Sequence, residues 1–309
     1  MGRRRKGRAV HGWLVVDKPY GMSSAAVVNT ARRALDAQKA GHAGTLDPLA
    51  TGLLAIAFGE ATKTIPIAQE GAKTYRFTAR LGAATTTDDA EGAIVSRADT
   101  RPDDAAIRAA LTAFEGETLQ VPPVFSAIKV DGERAYALAR AALAGEDTAL
   151  PELAPRPLTV HRIALTARPD PDHAEIEMTC AKGGYVRAVA RDLGRMLGCG
   201  AHVSALRRTA SGAFSLAQAI SFESFERIAH ERASADLLPV ATGLDDIPAL
   251  AVAAAEADRL RRGQAVPLPA GASPGEGATV WAGENGVPVA IGTVRAGQVH
   301  PDRVFNLVD

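Results

Sequence analysis

A single carboxylate held rigidly in a glycine-permissive loop is suited to act as a nucleophile or general base, and residues 41–52, GHAGTLDPLATG, contain one. Pro48 restricts Asp47 to extended backbone angles and removes a backbone donor beside it. The segment lacks the Gly-x4-Gly-Lys-Ser/Thr spacing of a phosphate loop and the Gly-x-Gly-x-x-Gly of a dinucleotide fold. Gly41-His42-Ala43-Gly44 has the form of a GxxG nucleic-acid clamp, a pattern of low specificity. An Asp-Pro turn without chemistry is the competing reading.

A second constellation runs through 182–208, where six Lys/Arg face one acid, Asp192. Arg187, Arg191 and Arg195 recur every fourth residue, so a helix stacks them on one side while Val186, Val189, Leu193 and Leu197 face a core. Such a stripe fits a phosphate backbone, and a solvated helix face is its plain alternative. His42 and Tyr185 are candidates to stack on or wedge against unpaired bases. Asp88-Asp89-Ala90-Glu91 has too few oxygen ligands at the right spacing for a hard cation and reads as a turn before Gly92. Cys180 and Cys199 form neither a CxxC nor a Cys/His pattern, although His202 follows Cys199 by three, and they read as small buried residues.

The elements that must carry these groups mix strands and helices without regular alternation, which favours α+β. Residues 12–16 read as a buried strand, and 74–81 and 174–180 alternate as half-buried strands, with Tyr75, Phe77, Ala79 and Leu81 sharing a face. Ser23 or Ser24 caps a helix reaching about Leu35, and helices are expected over 103–114, 134–144, 184–197 and 216–230. The segments 151–157 and 267–276 read as linkers or surface loops. After about Gly243 a short helix (251–262) and β-like runs at 278–282, 287–294 and 303–308 suit a small β-rich domain.

The 309 residues contain 35 Lys+Arg and 35 Asp+Glu, so the chain is not a generally basic nucleic-acid coat. Hydrophobic residues at 47% permit a sizeable core, and no apolar run approaches the ~20 residues a bilayer requires. Residues 1–10, MGRRRKGRAV, read as a basic disordered tail, and the whole as a cytoplasmic protein.

Taken together, GWLVVDKPYGMSS (12–24), GHAGTLDPLATGLL (41–54), GEATK (59–63), KTYRFTARLG (73–82), VPPVFSAIKVDGERAYALAR (121–140) and the 182–208 segment resemble the bacterial tRNA pseudouridine-55 synthases, the TruB family. The resemblance implies a pseudouridine-synthase catalytic domain over 11–243, with a mixed or antiparallel sheet and flanking helices. It implies a β-rich, PUA-like RNA-binding domain over 244–309, in which LRRGQAV (260–266) is the more weakly matching motif. The implied reaction is isomerisation of uridine 55 in the tRNA T-arm by a monomer that uses no metal or organic cofactor. On this resemblance Asp47 falls on the catalytic aspartate, Tyr75 on the tyrosine that stacks against the flipped base, and Arg187 on the arginine that pairs with the aspartate. Tyr185 and Leu206 fall on pocket residues, His42 on the histidine that helps extrude the target, Lys18 on a lysine near the site, and 121–150 on a mobile segment that folds over RNA. The family's Thr-Asp-Thr reads Thr85-Thr86-Thr87 here, so an acidic member of the charge network is expected to be missing, with Asp88 or Asp89 as the candidates to compensate for it. An RNA-binding or tRNA-folding protein without catalysis is the alternative outside the enzymes, and a guide-RNA-dependent relative the alternative within them.

Overall fold

The structure is a computed structural model that describes residues 7–126, 128–130, 132–143, 150–223 and 237–307. β1 (Gly12–Lys18) extends past its apolar run because Lys18 is itself fully buried. Ser23 takes extended angles and its hydroxyl accepts from the Ala26 amide, which starts α1 (Ser24–Ala34). β2 (Ala40–His42), β3 (Ala50–Phe58), a 3-10 turn at Gly59–Lys63 and the single-turn α2 (Ile65–Ala68) follow. Next come β4 (Lys73–Leu81), the hairpin β5 (Ala83–Thr85) and β6 (Ile94–Arg97), and α3 (Asp104–Leu111), which is capped by Asp103. β7 (Gly116–Gln120), the small hairpin β8 (Lys129–Val130) and β9 (Glu133–Arg134), and α4 (Ala135–Leu143) lead to the long hairpin β10 (Arg156–Asp170) and β11 (His173–Cys180). Then follow α5 (Val186–Met196), β12 (Ala201–Ser211), β13 (Phe214–Ser215) and β14 (Ile220–Ser221). The chain ends with β15 (Ala249–Ala251), α6 (Ala254–Arg261), β16 (Val266–Pro267), β17 (Thr279–Glu284), β18 (Val287–Arg295) and β19 (Gln298–Val304).

The chain divides into two compact units, one formed by residues 1–71 with 210–309 and the other by 72–209. In the first unit β1 lies between β3, antiparallel, and β14, parallel, and β2 pairs with β3. α1 buries Val27, Val28 and Ala31 against Leu14, Val16, Leu54 and Ile56 of this sheet. Trp13 and Phe214 pack with ring centroids 4.8 Å apart on its other side. A five-stranded sheet, β15-β17-β18-β19-β16, is covered by α6 over its own core of Leu250, Leu260, Val266, Val280 and Val289. This is the β-rich PUA-like region expected after Gly243. The second unit orders its strands β12-β4-β11-β10-β7, with α3 packed on β10 and α5 on β4. The architecture is therefore α+β with a mixed sheet, as the sequence indicates.

Four local expectations differ from the structure. Residues 7–10 are tied down rather than free, since Arg8 bridges Ala37 and Val10 enters the core; residues 1–6 lie outside the described residues. Within 216–230, Leu216–Gln218 is one 3-10 turn and Ile220–Ser221 pairs as a strand; helix begins only at 222–223, and 224–230 lie outside the described residues. The last strand is Gln298–Val304 rather than 303–308, because it continues directly from a two-residue turn at 296–297, where Ala296 has φ 49° and Gly297 φ 72°. β10 begins inside the stretch read as a linker, with Arg156 and Pro157 already paired to β7.

Candidate functional site

Asp47 sits in the turn between β2 and β3, half-buried, with the backbone on both sides of it fastened. On the N-terminal side the buried Ser24 hydroxyl donates to the Leu46 carbonyl and accepts from the Leu46 amide, both at 2.8 Å. On the C-terminal side the Pro48 carbonyl accepts from the Gly21 amide at 2.8 Å and from the Lys18 ammonium at 3.2 Å. Leu46 and Leu49 are driven into the core, and the Ala50 amide closes the turn on the Asp47 carbonyl. A carboxylate held between two anchored neighbours has little freedom to wander from a fixed position. His42, at the end of β2, accepts the Gly44 amide on Nδ1. Lys18 also donates to the Pro19 and Met22 carbonyls at 2.9 and 2.6 Å. A buried ammonium requires such partners, and these make Lys18 an organiser of the Asp47 loop. Lys18, His42 and Asp47 thus belong to one unit, and Lys18 is bonded to the residue that follows Asp47.

In the other unit, Tyr75 lies half-buried on β4 on the same face as Phe77, Ala79 and Leu81, opposite Met178 of β11. Leu206 is buried on β12, the strand beside β4. Tyr185 is the residue before α5, and its backbone is clasped by Gln120, whose side-chain oxygen accepts the Tyr185 amide at 2.9 Å and whose side-chain nitrogen donates to the Tyr185 carbonyl at 3.2 Å. Arg187, in the first turn of α5, is 5% exposed and donates to the Thr87 carbonyl at 3.1 Å and the Phe125 carbonyl at 2.8 Å. Its guanidinium lies 3.6 Å from the Asp89 carboxylate, itself 3% exposed. Asp89 also accepts from the Thr87 hydroxyl and the Glu91 amide.

This geometry decides one question the sequence leaves open and corrects one expectation. Of the two acids that could compensate for Thr86, Asp89 is the one beside Arg187, brought there by the turn at Asp88, which has φ 61°. The arginine stripe, in turn, is largely neutralised. Arg187 pairs with Asp89, and Arg191 pairs with Asp88 at 3.1 Å and Asp192 at 2.9 Å and donates to the Val121 carbonyl; Arg195 alone is well exposed, and it reaches Asp192. Burial pushes the Asp88 carboxyl above its ordinary range, more than the neighbouring Arg191 lowers it. Burial works against the Arg191 charge, but the Asp192 and Asp88 carboxylates outweigh it and raise its pKa. Burial pushes the Cys180 thiol up to about 11, which leaves it an inert core residue. Among the described residues no group of three His, Cys, Asp or Glu side chains is placed to hold a metal.

Sequence reasoning missed Ser24 and Gln120 as supports. The signal for Ser24 was the Ser23-Ser24 pair, one hydroxyl more than a helix cap needs. Asp89 was read both as part of a turn and as one of two acids able to compensate for Thr86. Gln120 carried no signal, because its partner lies 65 residues away.

Known proteins resemble the chain along its whole length. Residues 32–186 match the TruB family pseudouridylate synthase N-terminal domain, 187–247 the tRNA pseudouridylate synthase B C-terminal domain, and 248–305 the pseudouridine synthase II TruB C-terminal domain. A tRNA pseudouridine synthase B of Dinoroseobacter shibae is 58% identical, with 99% of this chain and 98% of that protein covered. One of Cereibacter sphaeroides is 55% identical, with 99% and 100% covered. A solved Cbf5-Nop10-Gar1 complex contains a chain of the same fold, with TM-score 0.73 and 24% identity over 96% of this chain and 85% of that one.

Proposed function

The chain belongs to the TruB family of pseudouridylate synthases, and from that premise we propose that it isomerises uridine 55 in the T-arm of tRNA, with Asp47 carrying the chemistry. The observation that supports this most directly is the Asp47 loop, in which Ser24 fixes Leu46 while Lys18 and Gly21 fix Pro48. A protein that only bound RNA would gain nothing from anchoring one carboxylate so firmly.

The reaction breaks the bond from C1′ to N1, turns the uracil, and forms a bond from C1′ to C5. The hydrogen on C5 leaves as a proton and N1 takes one up, so no atom is gained or lost. A base stacked in a folded arm is out of reach, so the nucleotide is flipped out, at a cost of a few kcal/mol. Stacking on Tyr75 returns ~1–3 kcal/mol of that cost. In this reading His42 assists extrusion, and Tyr185 and Leu206 line the pocket that retains the cleaved uracil away from water. Asp89 holds Arg187, the arginine that the family resemblance pairs with the catalytic aspartate. Lys18 acts through Pro48 as a positioning residue. The 121–150 segment, of which 127, 131 and 144–149 lie outside the described residues, covers the RNA in this reading, and the enzyme works as a cytoplasmic monomer without metal or organic cofactor.

The test is incubation with T-arm stem-loop RNA followed by mapping of pseudouridine at single-nucleotide resolution. Conversion of the uridine corresponding to position 55 is expected. Tight binding without product would favour the RNA-binding or tRNA-folding alternative.

A further inference from the structure

The charge balance of the whole chain conceals a strongly uneven distribution. Residues 7 and 8 run alongside 36–38, just past the end of α1. The Arg8 amide donates to Asp36, Gln38 donates to the Arg8 carbonyl at 3.1 Å, and the Gln38 side chain donates to the Gly7 carbonyl at 2.8 Å. This brings Arg8 beside Arg32, Arg33 and Lys39, and all four are exposed. The residues immediately before them in sequence, 3–6, read RRRK, and Asp36 is the only acid in 3–8 and 32–39. The arginines of α5 are paired to carboxylates, but among the described residues none of these four has an ion-pair partner within 4.0 Å. Arg33 makes one weak contact, to the Thr30 hydroxyl at 3.4 Å.

We infer that this cationic patch at the end of α1 is a second RNA contact, binding backbone phosphates of the tRNA away from the target nucleotide. α1 begins at Ser24, which holds the Asp47 loop, and ends at the patch. Its 11 residues make it about 16 Å long at ~1.5 Å per residue. Phosphates engaged there therefore belong to nucleotides other than the one seated at Asp47. Arg32 and Arg33 also complement the helix dipole, but that role uses neither Arg8 nor Lys39. A membrane surface is disfavoured because the apolar residues of α1 are spent on the core, which leaves no anchor to insert. The inference rests on the reading of the chain as a tRNA-modifying enzyme.

The experiment compares the wild type with the variant carrying Arg8→Gln, Arg32→Gln, Arg33→Gln and Lys39→Gln, using full-length tRNA over a salt series. KM should rise about tenfold near ~0.1 M salt with kcat unchanged, and the slope of log(kcat/KM) against log[salt] should become shallower by ~2 or more. Arg97→Gln, at an exposed arginine outside the patch, should leave the slope as in wild type. Arg8→Gln with Lys39→Gln, which alters no helix terminus, keeps the test usable if the fourfold variant folds poorly. Unchanged KM and slope in the folded variants would overturn the inference. So would loss of binding to phosphatidylserine vesicles with tRNA kinetics intact. If the wild type converted no uridine, the proposed activity would fail, and filter retention of tRNA over the same salt series would still decide the fate of the patch.

Discussion

Replacing Asp89 with Asn removes one charge from a buried pair while keeping the shape of the side chain. The carboxylate and the Arg187 guanidinium are 3.6 Å apart and both nearly inaccessible. At an effective dielectric of ~20 the attraction at that distance is about 4–5 kcal/mol, before any cost of desolvation. The Asn side-chain oxygen can still accept from the Thr87 hydroxyl and the Glu91 amide, and Arg187 keeps the Thr87 and Phe125 carbonyls, so part of the network survives. An expected loss of about 2–4 kcal/mol follows, towards the lower end of what breaking a buried pair costs. The assay is urea unfolding of wild type, Asp89→Asn, Arg187→Met and the double variant. The two single losses should fall short of additivity by ~1.5 kcal/mol or more, because the second substitution removes the charge that the first left stranded. If Asp89→Asn costs less than ~0.5 kcal/mol, or the losses simply add, the pair does not hold Arg187 and the account of its positioning is wrong.

Two further expectations rest on single side chains. Gln120→Leu removes both bonds to the Tyr185 backbone, so kcat should fall well before tRNA binding does; Gln120→Glu, which keeps the acceptor, should recover part of the loss, and equal damage from both would argue against a clasp. Glu60 lies beside Lys63 and the Asn306 amide, and despite opposing burial its pKa is lowered by these partners. A lowered folded-state pKa contributes stability above the unfolded value, so the advantage of wild type over Glu60→Gln in urea should be full above the ordinary glutamate value and fade as pH falls below it through the lowered folded-state value; an advantage independent of pH would contradict this.

What could be read from sequence follows from what each residue touches. β4 and β11 were legible because one face is buried and the other wet, so their side chains alternate. α5 was legible from the spacing of Val186, Val189 and Leu193. β10 was not, because its buried residues run Leu158, Val160, Ile163, Leu165, and the register shift between Val160 and Arg162 breaks the two-residue period. β3 is buried almost throughout and shows no alternation to detect. The same distinction governs the site. Asp47 stood out because Gly44 and Pro48 are its close neighbours in the chain. Its support from Ser24, the Gln120 clasp on Tyr185 and the Asp89–Arg187 pair are made by contacts 22 to about 100 residues apart in sequence, which no local pattern records. The arginine stripe misled for the same reason, since the acids that neutralise it, apart from Asp192, lie far away in the chain.

The central claim is that the Asp47 carboxylate performs the exchange, and the most direct measurement is tritium release from tRNA labelled at C5 of uridine, comparing wild type with Asp47→Asn. Wild type should release one tritium per tRNA, while Asp47→Asn binds the same tRNA and releases none. Appreciable turnover by the Asn variant would contradict the account.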